Sequence, residues 1–380
     1  MKKTILSFAL LGLLASCMDD NEANGPKAPE FTIEEPENGF SYNKMSWARI
    51  QPDMDNEVDV TYEWILEGSL ISQSKDLMYT FAEPGEYHLK FTATNTIGSI
   101  SSDMVLTIKD TTYTNNLTRL YEFLPAPGQF VNKLPAWEEG ISADSVLKKA
   151  EATLKNGSLI SLGSFGGFAT MGFDYTVINR EGNDFIVLGN AFNNWSEPAI
   201  VMVAQDTNGN GLPDDEWFEL YGSAHGHEGV IKDYEVTYSR PSSEPEDPNE
   251  QDYIAWEDNQ GQTGFVPKNS FHRQSYFPGW TGDEITFRGT YIPSNIFDQS
   301  GNGSYWVNPA YEWGYVDNWP NNSEAGQMDI SWARDQDGNA VELQGIDFVK
   351  VYNCNLAAGG WLGEVSTEIA GFTDLNLEGN

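Results

Sequence analysis

The sequence is short of basic residues and of histidine, and both shortages exclude functions. Only 21 of the 380 residues are Lys or Arg, against 57 Asp or Glu, so the formal net charge is −36. A chain this acidic is repelled by nucleic acids and by anionic membrane surfaces, and we exclude both as partners. The 4 histidines form no HExxH motif, and GxSxG and Gly-rich phosphate loops are also missing. These absences predict a protein without catalytic activity.

Cysteine is equally scarce, with only Cys17 and Cys354. Residues 1–16 have a charged start and an apolar run too short to span a bilayer, which predicts a signal peptide. The run ends in Leu-Ala-Ser before Cys17 and resembles the lipobox of bacterial lipoproteins; a plain signal peptide with a chance cysteine is the alternative. The next residues, MDDNE, resemble the tag that exports such lipoproteins to the outer face of the outer membrane. We therefore predict a surface-exposed outer-membrane lipoprotein lipidated at Cys17, with residues 17–28 as a flexible tether and no internal disulfide.

Residues 29–109 show short alternating runs between turns, which predict a β-sandwich. In VTYEWIL, residues 60–66, every second side chain is apolar. The segment YTFAEPGEYHLKFTATNTIGS, residues 79–99, resembles the signature of PKD and PKD-like domains. That family's acidic turn is replaced here by Leu-Glu-Gly-Ser at residues 66–69, so the resemblance is to the PKD-like form. It implies a spacer.

Residues 110–118 are a polar linker, and residues 119–376 form one large domain with no internal boundary. Eight or more strand-like runs follow a single helical pattern at residues 142–157. This composition predicts an all-β protein, in which a jelly-roll or lectin-like sandwich follows the PKD-like sandwich. The helix is defined by a capping Ser142, an apolar side with Val146, Leu147, Ala150 and Leu154, and a final Gly157.

The stretch DTNGNGLPDDEW, residues 206–217, has the spacing of a loop that wraps a hard cation. Oxygen-bearing side chains alternate, a glycine follows, and two carboxylates come next, as in the first half of an EF-hand loop. The twelfth position is Trp217 rather than a bidentate glutamate, so the loop is no EF-hand. We predict a structural Ca²⁺ site; a turn whose side chains bond only to their own backbone is the alternative. The predicted ligands are Asp206, Asn208, Asn210, Asp214 and Asp215.

Residues 305–319, YWVNPAYEWGYVDNW, combine six Tyr or Trp with chain-breaking proline and glycine. Such amphipathic rings in a loop-like segment are suited to stacking on a sugar or a flat macrocycle, although burial of some of them is the alternative. The pair His225 and His227 lacks a third ligand at a diagnostic spacing, so no transition-metal site is predicted. The predicted ligand-binding rings are Tyr305, Trp306, Tyr311, Trp313, Tyr315, Trp319, Trp256 and Trp280, with Trp195 as a further candidate. Asn308, Asp317 and Asn318 are candidates for bonding ligand hydroxyls or amides.

Four segments, residues 121–132, 189–223, 305–319 and 346–372, are together similar to PKD-like-domain cell-surface lipoproteins of gut Bacteroidetes. Members of that family often accompany TonB-dependent transporters, including those for cobalamin. The resemblance implies a binding protein for a nutrient ligand, with a corrinoid as the leading candidate and a transporter, or its surface lipoprotein, as a partner. The alternatives are a carbohydrate ligand, an adhesive or scaffolding role, and a Ca²⁺-dependent hydrolase.

Overall fold

The structure, a computed structural model, describes residues 27–377, which belong to two compact units that meet in sequence between Thr112 and Tyr113. The predicted signal peptide, the predicted lipidation site Cys17 and most of the predicted tether lie outside the described residues. Within residues 27–377, no helix is both long enough and apolar enough to cross a membrane.

The first unit is built from strands only. Five strands form a sheet in the order β2-β9-β8-β5-β6, in which β2 and β9 are parallel and the other pairs are antiparallel. Two further pairs, β1 with β4 and β3 with β7, complete the unit. The strands are β1 Phe31–Thr32, β2 Phe40–Asn43, β3 Trp47–Ile50, β4 Asp53–Met54, β5 Thr61–Leu66, β6 Ser69–Ser72, β7 Leu77–Thr80, β8 Gly85–Thr94 and β9 Ser99–Lys109.

The core of the first unit follows from the alternation seen in the sequence, because successive side chains of a strand point to opposite faces. Trp64 in β5 is fully buried, and its ring centroid lies 4.4 Å from that of Phe91 in β8. Its indole Nε1 donates to the carbonyl of Ser74 over 3.0 Å, which satisfies the buried donor. Asn95 shapes the turn between β8 and β9, since its Oδ1 accepts from the amides of Ile97 and Gly98.

The second unit contains two larger sheets and one helix. The six-stranded sheet has the order β10-β12-β23-β14-β15-β22, and the four-stranded sheet has the order β18-β17-β16-β19. The pairs β11 with β24, β13 with β25 and β20 with β21 are separate ribbons. The strands are β10 Arg119–Leu124, β11 Ile160–Gly163, β12 Phe168–Ile178, β13 Phe185–Leu188, β14 Ala199–Ala204, β15 Trp217–Leu220, β16 Ile231–Ser239, β17 Ile254–Asp258, β18 Thr263–Val266, β19 Glu284–Tyr291, β20 Phe297–Asp298, β21 Trp306–Val307, β22 Ala333–Arg334, β23 Gly345–Asn353, β24 Thr367–Ile369 and β25 Gly371–Asp374.

The helix α1 spans Ala143–Lys155, close to its predicted bounds. Ser142 caps it, because the Ser142 side chain accepts from the amide of Ser145. Its inward side is made of Val146, Ala150 and Leu154, which are buried. Three short 3₁₀ turns follow later in the chain, at Glu324–Gly326, Ile330–Trp332 and Gly360–Leu362.

The four-stranded sheet packs through aromatic residues. Phe165 and Phe168 precede or begin β12, and they join a buried cluster with Tyr234 and Tyr238 of β16 and Phe287 of β19. Aromatic rings dominate this core. The all-β prediction with a single helix is confirmed.

Candidate functional site

A cleft of about 600 Å³ opens in the second unit beside the aromatic core. This volume is within the range of small-molecule sites in proteins. Its walls come from β12, β14, β15 and β23 of the six-stranded sheet, from β16 and β19 of the four-stranded sheet, and from the loop after β22. The aromatic and charged side chains that line it include Phe168, Trp217, Glu219, Tyr221, Lys232, Arg288, Arg334, Lys350 and Tyr352.

Strand β15 supplies the centre of the cleft. Trp217, Glu219 and, just beyond the strand, Tyr221 are two residues apart, so they lie on the same face of the extended chain. All three are half-buried. A strand that turns a tryptophan, a carboxylate and a tyrosine towards one cavity offers a stacking surface together with hydrogen-bonding groups.

The rings of the cleft differ in how much of their faces is covered. Tyr221 stacks on His225 with centroids 4.3 Å apart, and the Lys232 Nζ lies 5.3 Å from the Tyr221 centroid. Phe168 has the Lys350 Nζ 3.9 Å from its centroid. Trp217 has no ring or cation contact within the described part of the chain. Trp217 is therefore a half-buried ring of the cleft that no other ring and no cation covers.

Glu219 lines the cleft and accepts three partly buried hydrogen bonds. Tyr352 Oη donates over 2.8 Å, His225 Nε2 over 3.1 Å and Thr290 Oγ1 over 3.0 Å. His225 carries its proton on Nε2, because Nδ1 accepts from the amide of Gly222. Burial raises the pKa of Glu219, but the bonds from His225, Tyr352 and Thr290 outweigh it and hold the pKa below its ordinary value. Glu219 is thus a fixed anion.

Four of the chain's 21 basic residues line this one cleft. Arg288 pairs with Asp233 at 3.2 Å, and Lys350 pairs with Glu122 at 3.7 Å. Burial lowers the pKa of Lys350, and the nearby Glu122 opposes that shift. Paired cations beside carboxylates make the cleft locally balanced in charge, in contrast to the strongly acidic chain. Such a surface can donate to and accept from neutral polar groups.

The eight predicted ligand-binding rings do not form one surface. Tyr311 and Tyr315 are 4% and 3% exposed, so the prediction is wrong for these two. The Tyr311 hydroxyl donates to the carbonyl of Pro293, and the Tyr315 hydroxyl lies 2.7 Å from His225 Nδ1. Both side chains therefore make hydrogen bonds inside the second unit. Asn308, Asp317 and Asn318, predicted to meet a ligand at the surface, are buried as well.

Four other predicted rings are half-buried and face separate neighbours. Trp313 packs on Trp332 at 4.6 Å, and Trp280 stacks on Phe123 at 6.4 Å. The Trp319 Nε1 donates to the carbonyl of Tyr311 over 2.8 Å. Trp256 lies in the β17–β18 hairpin against Gly264. A ligand role for these rings stays a prediction.

Tyr305 and Trp306 do reach the surface, near the loop Ala358–Gly363, and we call this area the loop surface. Tyr305 is 57% exposed and Trp361 is 51% exposed. A Cβ on Gly360 would lie 2.6 Å from Trp306 Nε1, and one on Gly359 would lie 3.2 Å from the Trp195 ring, so the loop backbone rests directly on these two rings. The loop surface is a second aromatic area.

The predicted cation loop is closed by its own hydrogen bonds. Asp206 Oδ1 accepts from the amide of Gly209 over 2.8 Å, and Asp206 Oδ2 accepts from the amide of Gly211 over 3.1 Å. Asn208 and Asn210 donate side-chain bonds to Asp214 and lower its pKa. Thr207 donates to Asp215. This is the geometry of the alternative, a self-bonded turn, and Ca²⁺ at this loop stays a prediction.

A different set of carboxylates is buried together. Oxygen atoms of Glu197, Asp317 and Glu368 lie within 4.8 Å of one another, and all three residues are buried. Burial, which is the largest cause, raises the pKa of Asp317 to about 7. Burial and the neighbouring acidic groups raise the pKa of Glu197 and Glu368 well above their ordinary values. An arrangement of this kind can hold protons or a hard cation.

Sequence reasoning missed most of these groups. The sequence pattern gives Trp217 only as the twelfth position of the predicted cation loop, residues 206–217. It assigns no role to Glu219 or Lys350. A usable signal exists in β15, where Trp217 and Glu219 alternate with Phe218 and Leu220 and so put polar and aromatic chemistry on one face. No local sequence pattern links Trp217 to Lys350, because they lie on β15 and β23, two strands that are brought together only by the order of the six-stranded sheet.

One family model matches most of the first unit. Residues 28–95 match the model of the PKD-like domain. No curated protein matches the sequence.

Three solved structures show partial similarity to the chain. A quinonprotein alcohol dehydrogenase-like protein from Bacteroides thetaiotaomicron is 16% identical, with a TM-score of 0.21, over 25% of this chain and only 23% of that one. A Bacteroides ovatus SGBP-B of a mixed-linkage glucan utilization locus, solved with a heptasaccharide, is 10% identical over 86% of this chain and 100% of its own, with a TM-score of 0.21. A SusE-like protein is 9% identical over 91% and 96%, with a TM-score of 0.26. With TM-scores this far below 0.5, none of them defines the fold of the whole chain.

Proposed function

We propose that the second unit binds an oligosaccharide in the cleft, and that the PKD-like unit is a spacer. The observation that carries this proposal is Trp217, a half-buried ring that lines the cleft, beside an ionised Glu219 and the paired cations Arg288 and Lys350. Sugars present apolar C–H faces and hydroxyl edges, so an indole in the cleft with donors and acceptors around it matches both.

Carbohydrate, the alternative to a corrinoid at the sequence level, becomes the main proposal. A cleft of about 600 Å³ takes a drug-sized ligand, which a short oligosaccharide matches more closely than a corrinoid does. The local charge balance favours a neutral glycan over a charged one. Neither the comparisons nor the cleft supports a corrinoid, which is kept as an arm of the experiment. A transporter partner is likewise a prediction.

The experiment is a glycan-array screen of the chain from residue 18 onward, followed by calorimetric titration of the hits and of cyanocobalamin. Trp217→Ala is the test variant, and Trp361→Ala is its matched control, because Trp361 is an exposed tryptophan on the loop surface. We expect Trp217→Ala to weaken glycan binding about tenfold or more, since loss of the stacked face costs about 1.5 kcal/mol. Trp361→Ala should bind like wild type.

Four results would sink the proposal of an oligosaccharide in the cleft. Equal affinity of the Trp217→Ala variant and wild type for every bound glycan would remove the cleft from recognition, and loss in Trp361→Ala or Tyr305→Ala would move the site to the loop surface. Titration heat with cyanocobalamin, and none with any glycan, would restore the corrinoid. Binding of neither would leave adhesion.

We further propose that the protein is displayed on the cell surface through a lipid on Cys17. The support is the sequence of residues 1–22 alone. Metabolic labelling with a fatty acid should mark wild type and leave Cys17→Ser unlabelled, and antibody should stain intact cells that express wild type. A labelled Cys17→Ser protein, or staining only after the cells are permeabilised, would contradict the proposal.

A further inference from the structure

A cluster of three carboxylates is enclosed in the second unit, away from the cleft and from the loop of residues 206–217. Glu197 precedes β14, Asp317 lies within the aromatic stretch of residues 305–319, and Glu368 is the central residue of β24. They are 7%, 3% and 2% exposed, and one oxygen of each lies within 4.8 Å of the others. We call these three residues the carboxylate cluster.

The carboxylate cluster has no basic partner. None of its three members forms a salt bridge among residues 27–377. Three charges enclosed without a counter-charge would cost several kcal/mol each. The described side chains therefore leave the cluster in need of protons or of a cation.

Backbone amides fix Asp317 in place. Asp317 Oδ1 accepts from the amides of Asn190 and Ala191, both over 2.7 Å, and Oδ2 accepts from the amide of Glu368 over 3.0 Å. Such bonds stabilise the charged form of a carboxylate. The chain also adopts a positive φ of 55° at Asp317, a conformation that is uncommon for a residue with a side chain. This carboxylate is thus held in position by the folded backbone rather than by a flexible side-chain partner.

One further observation points to an ion rather than to protons alone. Glu368 Oε1 is buried and has no hydrogen-bond partner in the described chain, which is costly for an enclosed oxygen unless a ligand meets it. The Asn190 side chain adds to the bonds that hold Asp317, because its amide nitrogen donates to Asp317 Oδ2 over 3.1 Å and to Oδ1 over 3.2 Å.

We propose that Glu197, Asp317 and Glu368 bind one Ca²⁺ ion. A ligand set made only of carboxylate oxygens matches this hard cation and does not match metals that prefer imidazole or thiolate. Two positive charges against three negative ones leave one excess charge, which the three backbone amides on Asp317 offset in part. The site differs from the loop of residues 206–217 in residues, in burial and in its place in the fold.

The ion links the ends of distant segments. Glu197 and Asp317 are 120 positions apart in sequence, and Glu368 brings in β24 from near the end of the chain. The Trp195 Nε1 donates to Glu197 Oε1 over 3.1 Å, so one ring of the loop surface is attached directly to a ligand of the ion. We expect the ion to stabilise the second unit by linking these segments. The one cysteine of that unit is Cys354, which is free and buried, so the unit has no disulfide of its own.

The test begins with metal analysis of the purified protein. Because the cluster is buried, we expect Ca²⁺ to survive dialysis and to be lost only with chelator under mild denaturation. Glu368→Gln keeps the shape of the side chain and removes one charge, and Asp206→Asn makes the same kind of change in the loop of residues 206–217. Glu368→Gln should lower the metal content by one equivalent and weaken Ca²⁺ binding by more than the about 10- to 100-fold that loss of an outer-shell partner costs. Asp206→Asn should leave this equivalent in place.

Terbium supplies a second readout that does not depend on a variant with an altered ligand. Tb³⁺ takes Ca²⁺ sites and is sensitised by a nearby indole, so the chelator-stripped protein should show terbium emission that Trp195→Phe largely removes without loss of bound metal. The proposal is overturned if the wild type carries no metal, gives no terbium emission and melts at the same temperature with Ca²⁺ and with chelator. It is also overturned if Asp206→Asn removes all bound metal while Glu368→Gln removes none. Should Glu368→Gln fail to fold, the wild-type and Trp195→Phe measurements decide alone.

Discussion

The effect of Glu219 on stability can be predicted quantitatively, because Glu219 is the shared acceptor of three donors in the cleft. Glu219→Ala would leave the donors on His225, Thr290 and Tyr352 without their partner. An unsatisfied buried group costs about 1–3 kcal/mol. Since water can enter through the cleft, we take the low end for each donor and expect a loss of about 3 kcal/mol. For a unit of this size the melting temperature should fall by about 6–12 °C.

A double-mutant cycle separates this network from general damage to the core. Tyr352→Phe removes a hydroxyl that donates to Glu219 and accepts from the amide of Thr290, and we expect it to cost about 1–2 kcal/mol. Because both variants break the same bond, the double variant should lose about 1–2 kcal/mol less than the sum of the two. Glu216→Ala is the matched control, since Glu216 is an exposed carboxylate three positions before Glu219.

Scanning calorimetry of the full chain at pH 7 measures all four variants. Additivity of Glu219→Ala and Tyr352→Phe to within about 0.5 kcal/mol would refute the shared network. A Glu219→Ala loss below about 1 kcal/mol, or an equal loss in Glu216→Ala, would refute the claim that burial of the donors sets the magnitude. The same samples, titrated with a bound glycan, report whether Glu219 contributes to recognition as well as to stability.

Three further predictions concern single positions. Burial raises the pKa of Asp184 to about 6, so wild type should lose about 2 kcal/mol as pH rises from 4 to 7; Asp184→Asn should lack this loss, and parallel pH curves would contradict it. Asp206→Asn should lower the melting temperature in Ca²⁺ but not in chelator if its loop binds the ion, and an equal loss in both would favour the self-bonded turn. Gly166 has a φ of 85°, and a Cβ there would overlap Phe287; Gly166→Ala should cost about 3 kcal/mol. Gly182→Ala, with similar φ and open space, should cost less, and equal costs would refute the overlap.

The sign of the Asp184 prediction follows from the direction of its shift. An acid with a raised pKa in the folded state binds its proton more tightly there than in the unfolded chain, so folding is favoured at low pH. As pH rises from the ordinary value of 3.8 towards about 6, the folded protein must give up that proton or pay for a buried charge, and stability falls. The nearby Asp329 and Asp374 act in the same direction.

Local rules were enough to predict the elements of the fold. The helix at Ala143–Lys155 could be found because a capping serine, a 3.6-residue apolar period and a terminal glycine all occur within one short segment. Strand β5 could be found because period-two alternation needs only seven residues. Both signals depend only on residues that are close in sequence, and the structure contains both elements.

The site could not be predicted in the same way, because its residues meet only through the sheet order. Trp217 and Lys350 come from β15 and β23, which are separated by β14 in the sheet. The density of rings in residues 305–319 was also misleading, since positive φ values at Tyr315 and Asp317 turn the chain sharply. Tyr315 is thereby directed into the core while Tyr305 stays exposed.

Residues of the cleft and of both proposed Ca²⁺ sites lie in strand β14 or within two residues of its ends. Glu197 stands two residues before it, Met202 within it lines the cleft, and Asp206 stands two residues after it. If Ca²⁺ tightened glycan binding by some factor, glycan would have to tighten Ca²⁺ binding by the same factor. β14 is hydrogen-bonded to β15 on one side and β23 on the other, so it has little freedom to transmit a change. We therefore expect chelation to lower the melting temperature while leaving glycan affinity below that temperature unchanged within about twofold, and a larger change would show that the ion shapes the cleft itself.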